Sequence, residues 1–357
     1  MNILIIALSG IGDALMFTPA LQILKEEIPS AKIDALVMYN GVKDIYDKLP
    51  QFSDVRYFDF VNTTKTDSLK FVLSLRNKYQ TIINVYPSNR KEYNLIGRLI
   101  GAGNRLAVKY LREDFANLGF LNTDQIIEDD NLHNVEENIR LVERLVGKKI
   151  ASIPPLLFNL GNEDHEFARE YLKNYSISEN DLIVGFHPGC SPLKNHHKRR
   201  WEPLKFAELG QKLIDQFGAK IFIFGGGEED ELKNQITSNI DSQNVYSVNA
   251  FSLSNTAAVI KRCNLFITND SSLMHVAASM NVNVIAIIGP TNPNYIRPWR
   301  TEHQIVSLNL DCSPCFYYSP KPLTCSRSDL QFKCIRELSV DIVFEKAAAQ
   351  IKNLRHV

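Results

Sequence analysis

The sequence predicts an α/β protein made of two halves, each a parallel sheet wrapped by helices. Three observations lead there. Short, almost wholly apolar runs alternate with stretches of helical period from end to end, as in βαβ units whose strands are buried on both faces. The chain of 357 residues is long for one domain, given roughly 100–200 residues per domain. Near the middle the texture changes, as SIPPLLF gives way to the acidic, polar GNEDHEFAREYLKNYSISEND.

In chain order, residues 2–8 (NILIIAL) read as a buried strand, followed by the turn SGIGD and an amphipathic stretch through Glu27. Thr18-Pro19 should start or kink that helix. Residues 32–38 and 81–86 repeat the strand signal with a helical stretch, Lys70 to Lys78, between them. Residues 114–134 carry little apolar period, and Val135 to Val146 reads as a helix. A second alternating set follows, with strands at 181–187, 219–224, 264–268 and 282–288 and helices at 203–217, 254–262 and 270–280. Trp201, Phe206 and Leu209 belong to its core. The expected domains are 1–165, then 166–339 with a cysteine-rich loop at 311–335, then a terminal helix at 340–357.

Composition narrows the function. Forty Lys and Arg balance forty Asp and Glu, which argues against a nucleic-acid binder living on phosphate neutralisation. The most apolar windows are far shorter than the roughly 20 residues that cross a bilayer. The start MNILIIALSG lacks a basic leader segment, so the expected location is cytoplasmic, with peripheral contact at the inner face of the cytoplasmic membrane left open.

Four strand-end motifs carry chemistry. In SGIGDALMFTP, Asp13 stands at the mouth of a helix and admits two readings, an N-terminal cap or a general base facing a cleft. In FHPGCSPLKNHHKRRW, Gly189, Cys190 and Ser191 offer amides and a hydroxyl, while Lys194, Lys198, Arg199 and Arg200 concentrate positive charge, the equipment for a diphosphate. In FGGGEEDE, Glu228 can accept hydrogen bonds from ribose or simply begin a helix. In NDSSLMHVAA, Asp270, Ser271 and Ser272 fall where strand meets helix, with His275 about a turn on, and Gly289-Pro290-Thr291 ends the next strand. No D-x-D and no G-x-x-x-x-G-K-[ST] occurs, so neither a metal-bound sugar diphosphate nor a P-loop is supported.

Together GIGDALMFTPALQILKEEIP, HPGCS…KRRW, FGGGEEDE and NDSSLMHVAASMNVNVIAIIGPTNP resemble glycosyltransferase family 9, the ADP-heptose:lipopolysaccharide heptosyltransferases, over nearly the whole chain. The resemblance implies a GT-B fold, with two Rossmann-like domains facing across a cleft. The first would bind a glycolipid or glycan acceptor, the second a sugar nucleotide, ADP-heptose. Transfer would be inverting and need no cofactor. Asp13 matches the family's general base, and Gly189 and Cys190 its phosphate-contacting positions, where Cys190 replaces a hydroxylated residue. Arg199 matches the family's cation, flanked by Lys198 and Arg200, and Glu228 its ribose-contacting acid. Asp270, Ser271, Ser272 and His275 match the loop around donor sugar and diphosphate. For the acceptor, Arg90, Arg98 and Arg105, with Lys91 and Lys109, offer cations to an acidic glycolipid core.

Cysteines crowd the C-terminal part as Cys312-x2-Cys315-x9-Cys325-x8-Cys334. Four thiolates at this spacing could hold one structural zinc or iron ion, or stay free thiols or disulfides. Two other functions compete with transfer, a GT-B sugar-nucleotide epimerase or hydrolase and a non-catalytic nucleotide-sugar-binding protein.

Overall fold

The computed structural model describes residues 1–317 and 321–355. Residues 318–320 of the cysteine-rich loop and 356–357 of the terminal helix lie outside that range. The chain forms two compact units, Met1–Asn159 and Leu160–Tyr317 continued from Lys321.

In the first unit six strands run β1 (Asn2–Ala7), β2 (Lys32–Val37), β3 (Asp54–Tyr57), β4 (Thr81–Asn84), β5 (Asn104–Lys109) and β6 (Asp124–Ile127). They form one parallel sheet in the order β3-β2-β1-β4-β5-β6. In the second unit β7 (Ile183–His187), β8 (Lys220–Ile223), β9 (Val245–Ser247), β10 (Leu265–Asn269), β11 (Asn283–Ile287) and β12 (His303–Val306) form a parallel sheet ordered β12-β11-β10-β7-β8-β9. Each sheet reverses direction beside its first strand, β1 or β7. Loops leaving the carboxyl ends of strands on either side of such a reversal open a crevice for ligands.

The central strands are those whose apolar runs are unbroken. Ile3 through Ala7 are buried, as are all five residues of β7 and β10. The strands that apolar runs do not reveal are β3, β5, β6, β9 and β12. Four of these are sheet edges with half-exposed residues, so their patterns are diluted by polar side chains. The acidic stretch near the middle is a solvated helix, Asn162–Asn174, burying Ala168, Tyr171 and Leu172. It starts the second unit, so a boundary at 165 would cut it. The helix Val340–Arg355 is no separate segment. Its Val343, Ala347 and Ile351 lie in the second core beside Trp201, Phe206 and Leu338.

The first helix starts at Ile11, not at Thr18, and continues through Pro19 to Glu27. Proline has no N–H for the carbonyl of Leu15, and an orphaned buried acceptor is costly. The Thr18 hydroxyl donates to that carbonyl at 2.7 Å and accepts from the Leu157 N–H at 2.8 Å. One side chain thus repairs the helix and ties down the segment that ends the unit.

Candidate active site

In the first unit Asp13 is half-buried on the first turn of the Ile11–Glu27 helix, just past the carboxyl end of β1. The Gly10 N–H donates to its Oδ2 at 3.3 Å, so the capping role is real. A capping hydrogen bond does not exclude a second role, so the two readings of Asp13 are compatible. Four tyrosines feel this charge. Burial raises the Tyr39, Tyr46, Tyr93 and Tyr110 hydroxyls above their ordinary value, and the Asp13 carboxylate adds to the rise in each. Arg90 opposes it at Tyr39 and Tyr93, its guanidinium lying 5.8 Å from the Tyr93 ring centre. Tyr93 and Tyr46 donate to the carbonyls of Leu8 (2.6 Å) and Ala14 (3.0 Å), which fixes the backbone on both sides of Asp13.

Arg98 and Arg105 are elsewhere. Arg98 lies in the last turn of the helix Lys91–Ile100 and Arg105 near the start of β5, both at the amino edge of the sheet. Arg105 donates to the carbonyls of Leu121 and Ala102 at 3.0 and 2.6 Å, a structural anchor. Burial, then repulsion from Arg98, lowers its pKa. Of the three expected acceptor arginines, the structure brings Arg90 alone to the edge that carries Asp13, together with Lys109 and Lys91.

In the second unit the loops after β7, β8, β10 and β11 converge. The Arg199 Nη1 lies 2.6 Å from Asp270 Oδ2 and 3.3 Å from Thr291 Oγ1, and Thr291 donates to the same carboxylate oxygen at 2.7 Å. Both charged side chains are largely buried, and removing one partner of such a pair typically costs about 3–5 kcal/mol. The guanidinium is therefore positioned before any ligand arrives. Arg200 turns the other way, donating to the Cys190 carbonyl with Nη2 3.8 Å from Glu229. Lys198 is exposed and lies over the Phe332 ring at 5.6 Å. Among the three adjacent cations, Arg199 is the one joined to the Asp270 loop.

Ser271 stands at the N-cap position of the helix Ser272–Ser279 without a capping bond from its side chain, and the first amides of that helix lie at the strand ends. His275, on the next turn, is 4% exposed, and its Nδ1 has no partner. Burial lowers its pKa to about 4, with Asp270 pulling the other way, so it is neutral at neutral pH. Ser191 is exposed, its hydroxyl accepting from the Leu193 N–H at 3.3 Å. Burial raises the Cys190 thiol, which donates to the His196 carbonyl at 3.1 Å and packs inward.

The acid integrated into this site is Glu229, while Glu228 is exposed. Glu229 accepts from the Gly226 N–H at 3.2 Å, and its Oε2 lies 3.2 Å from His187 Nε2. Burial would raise its pKa, but the His187 contact and the Gly226 N–H outweigh that and hold it below the ordinary value. His187, the last residue of β7, reaches Ser271 Oγ with Nδ1 at 2.7 Å. Sequence reasoning passed over both residues. A signal for Glu229 existed in the G-x-x-E spacing from Gly226, a capping box, and for His187 in a polar residue ending a buried strand. Phe251, on the loop after β9, is 94% exposed and meets Phe167 edge-on at 6.0 Å.

The cysteine-rich segment buttresses these loops. Ser313 donates to the Gly289 carbonyl at 2.7 Å, and the Cys315 and Phe316 N–H groups donate to Pro290 at 2.9 Å. The Leu323 N–H reaches the Lys194 carbonyl at 2.8 Å, and Phe316 lies beneath Arg199 at 5.7 Å. All six cysteines are free thiols. Among the described residues no group of three His, Cys, Asp or Glu is placed to hold a metal ion. The four loop thiols are nonetheless close enough that burial and one another's charge raise Cys315 and Cys334, the latter to about 11.

Two doubly wound units, each with loops gathered at the carboxyl ends of its strands, are the architecture of the GT-B fold. The model of glycosyltransferase family 9 (heptosyltransferase) matches residues 69–323, and the chain belongs to that family. Lipooligosaccharide heptosyltransferase 2 of Campylobacter jejuni serotype O:2 is 33% identical over 176 residues, 48% of this chain and 51% of that protein, so the match spans about half of its length. Its counterpart in C. jejuni serotype O:6 is 25% identical over 97% of this chain and 98% of its own. The solved structure of Escherichia coli ADP-heptose lps heptosyltransferase II superposes with a TM-score of 0.75 at 21% identity, covering 99% of this chain and 100% of that one. Among the described residues no helix is long and apolar enough to cross a membrane.

Proposed function

We propose that this glycosyltransferase moves heptose, with inversion, from ADP-heptose to a lipopolysaccharide-core or other glycan acceptor. The observation that carries the reading is the joining of Arg199, Asp270 and Thr291 beside the Ser271–Ser272 helix start, a site built for an anion at strand carboxyl ends. Arg199, the helix-end amides and the amides of Gly189, Cys190 and Ser191 would hold the diphosphate as its charge grows on breaking the glycosidic bond. Glu229, in place of Glu228, is the better-placed acid near the ribose, and Phe251 offers a flat apolar face to the nucleobase. Asp13 would take the acceptor hydroxyl proton as that oxygen attacks the anomeric carbon from the face opposite the leaving diphosphate, with Arg90 drawing in an acidic acceptor. Arg98 and Arg105 have no part in this reading.

Two finer points belong to the same proposal. Cys312, Cys315, Cys325 and Cys334 supply the donor set for a structural zinc or iron ion that would take no part in the chemistry, and since no three of them are placed around one point, binding would have to draw them together. The enzyme works in the cytoplasm in peripheral contact with the membrane, supported by the exposed Leu111, Phe115 and Phe120 of the first unit.

A panel of ADP-, GDP- and UDP-sugars in thermal-shift experiments, followed by assay of Asp13→Asn, tests the function. Stabilisation by ADP-heptose is expected by mass action. Asp13→Asn should lower kcat by about 10³-fold while leaving donor affinity unchanged. A shift with UDP-sugars but none with ADP-heptose overturns the donor, and retained turnover in Asp13→Asn overturns the base. Donor breakdown without acceptor would favour a hydrolase.

A further inference from the structure

We propose that His187 is a proton-linked positioning residue that switches the Ser271 hydroxyl between the imidazole and the phosphate of a bound diphosphate. The proposal rests on the donor-site reading above, and deepens it.

The imidazole is buried, 3% exposed, at the junction of three strand-end loops. Its Nε2 faces Glu229 at 3.2 Å and its Nδ1 faces Ser271 Oγ at 2.7 Å. Glu229 is pinned by the Gly226 N–H and pressed so closely on Gly189 that a Cβ there would meet its Oε1 at 1.6 Å. An ionised carboxylate can only accept, so Nε2 carries a proton in either charge state of the ring. The neutral ring must then accept at Nδ1, and Ser271 spends its single proton on it. In that state the serine oxygen turns lone pairs to a phosphate beside the helix start, and repels it.

Protonating Nδ1 reverses the bond. The imidazolium donates to Ser271 Oγ, and the freed hydroxyl proton can be given to a phosphate oxygen. One proton is taken from solvent, and no covalent bond other than N–H is formed. Thr268, whose hydroxyl donates to the Asn269 carbonyl at 2.8 Å, lies 3.1 Å from Ser271 Oγ. Either hydroxyl can donate in that contact, and neither arrangement adds a proton to the Ser271–Thr268 pair. The charged and titratable groups on the surrounding loops are Glu229 and Arg200, the Arg199–Asp270 pair, and Cys190. None of them touches Nδ1. A bound diphosphate favours the imidazolium by its own negative charge, so ligand and proton should bind together.

ADP-ribose is the probe, because its diphosphate is a diester with no phosphate proton to lose near neutrality. Calorimetry in buffers of different ionisation heat counts protons taken up on binding, from about pH 5 to about pH 8, where an imidazole changes charge. Wild-type protein should take up about half a proton per ligand near the middle of that range, with Kd rising about tenfold across it as one charge-assisted hydrogen bond is lost. His187→Asn keeps an N–H toward Ser271 without a titrating ring. It should abolish the uptake and flatten the pH profile, and Ser271→Ala, which keeps the ring but loses the hydroxyl that answers it, should lower the uptake, while a purely structural role would weaken binding equally at every pH. His187→Gln is the companion variant should the shorter amide not fold, with the same result expected. Binding without proton uptake, or uptake that persists in the folded His187 variants, overturns the proposal. Failure of wild-type protein to bind ADP-ribose at any pH overturns the donor-site reading, and the proposal with it.

Discussion

Gly189 and Glu229 occupy one space between two loops. A methyl group at 189 would displace the Glu229 carboxylate and take it from His187 and from the Gly226 N–H. Gly189→Ala should therefore fold but bind ADP at least tenfold more weakly, measured by calorimetry, because the loss falls on the ligand loops and spares the core. Unchanged affinity would mean that Glu229 has no part in holding the nucleotide. At this scale the sequence was legible in residue type and only partly in position. The basic run 198–200 announced an anion site, but nothing in three adjacent cations told that Arg199 turns to Asp270, Arg200 to Cys190 and Lys198 to Phe332. That choice is made by loop backbone, with Lys194 and Asn195 at positive φ, which hydrophobic pattern does not encode. Arg98 and Arg105 misled for a related reason. A basic segment that crosses the sheet from one edge to the other puts neighbouring cations at opposite ends.

Between residues and the whole, the elements were readable in proportion to their burial. β1, β2, β4, β7, β8, β10 and β11 are interior strands, and each shows as an apolar run. The edge strands β3, β6, β9 and β12 do not, since almost none of their side chains is fully buried. The cysteine-rich segment is the element whose role was least legible. Its hydrogen bonds go to Gly289, Pro290 and Lys194, backbone groups of the loops that frame Arg199. If it is clasped by a metal, purified protein should carry about one zinc or iron per chain by elemental analysis. Cys312→Ser with Cys315→Ser should then lose the metal, lower the Tm and weaken ADP binding while sparing the first unit. Metal-free protein of full activity would remove the metal and leave a loop held by hydrogen bonds and the Phe316–Leu323–Phe332 cluster.

For the molecule as a whole, equal numbers of acidic and basic residues hide an uneven distribution. Cations are spent at the loop 194–200 of the second unit and around Arg90 of the first, where an anionic donor and an acidic acceptor are expected. The first unit also leaves apolar side chains exposed. Leu111, Phe115 and Phe120 are each more than half exposed, and the two phenylalanine rings lie 5.3 Å apart. Exposed rings of this kind suit the boundary of a bilayer. Flotation with vesicles of phosphatidylethanolamine and phosphatidylglycerol should carry wild-type protein upward, and Phe115→Ser with Phe120→Ser should reduce that association several-fold without changing the Tm. Wild-type protein that stays in the lower fraction would make the patch irrelevant to membranes.

The contact between Gly189 and Glu229 also has a consequence over evolutionary time. Two positions that share one volume are not free to drift separately. A lineage that acquires a side chain at 189 must first have lost the long acid at 229, and with it the partner of His187. Substitution at these three sites should therefore arrive as a set, with viable intermediates scarce, and descendants should divide into those that keep all three residues and those that keep none.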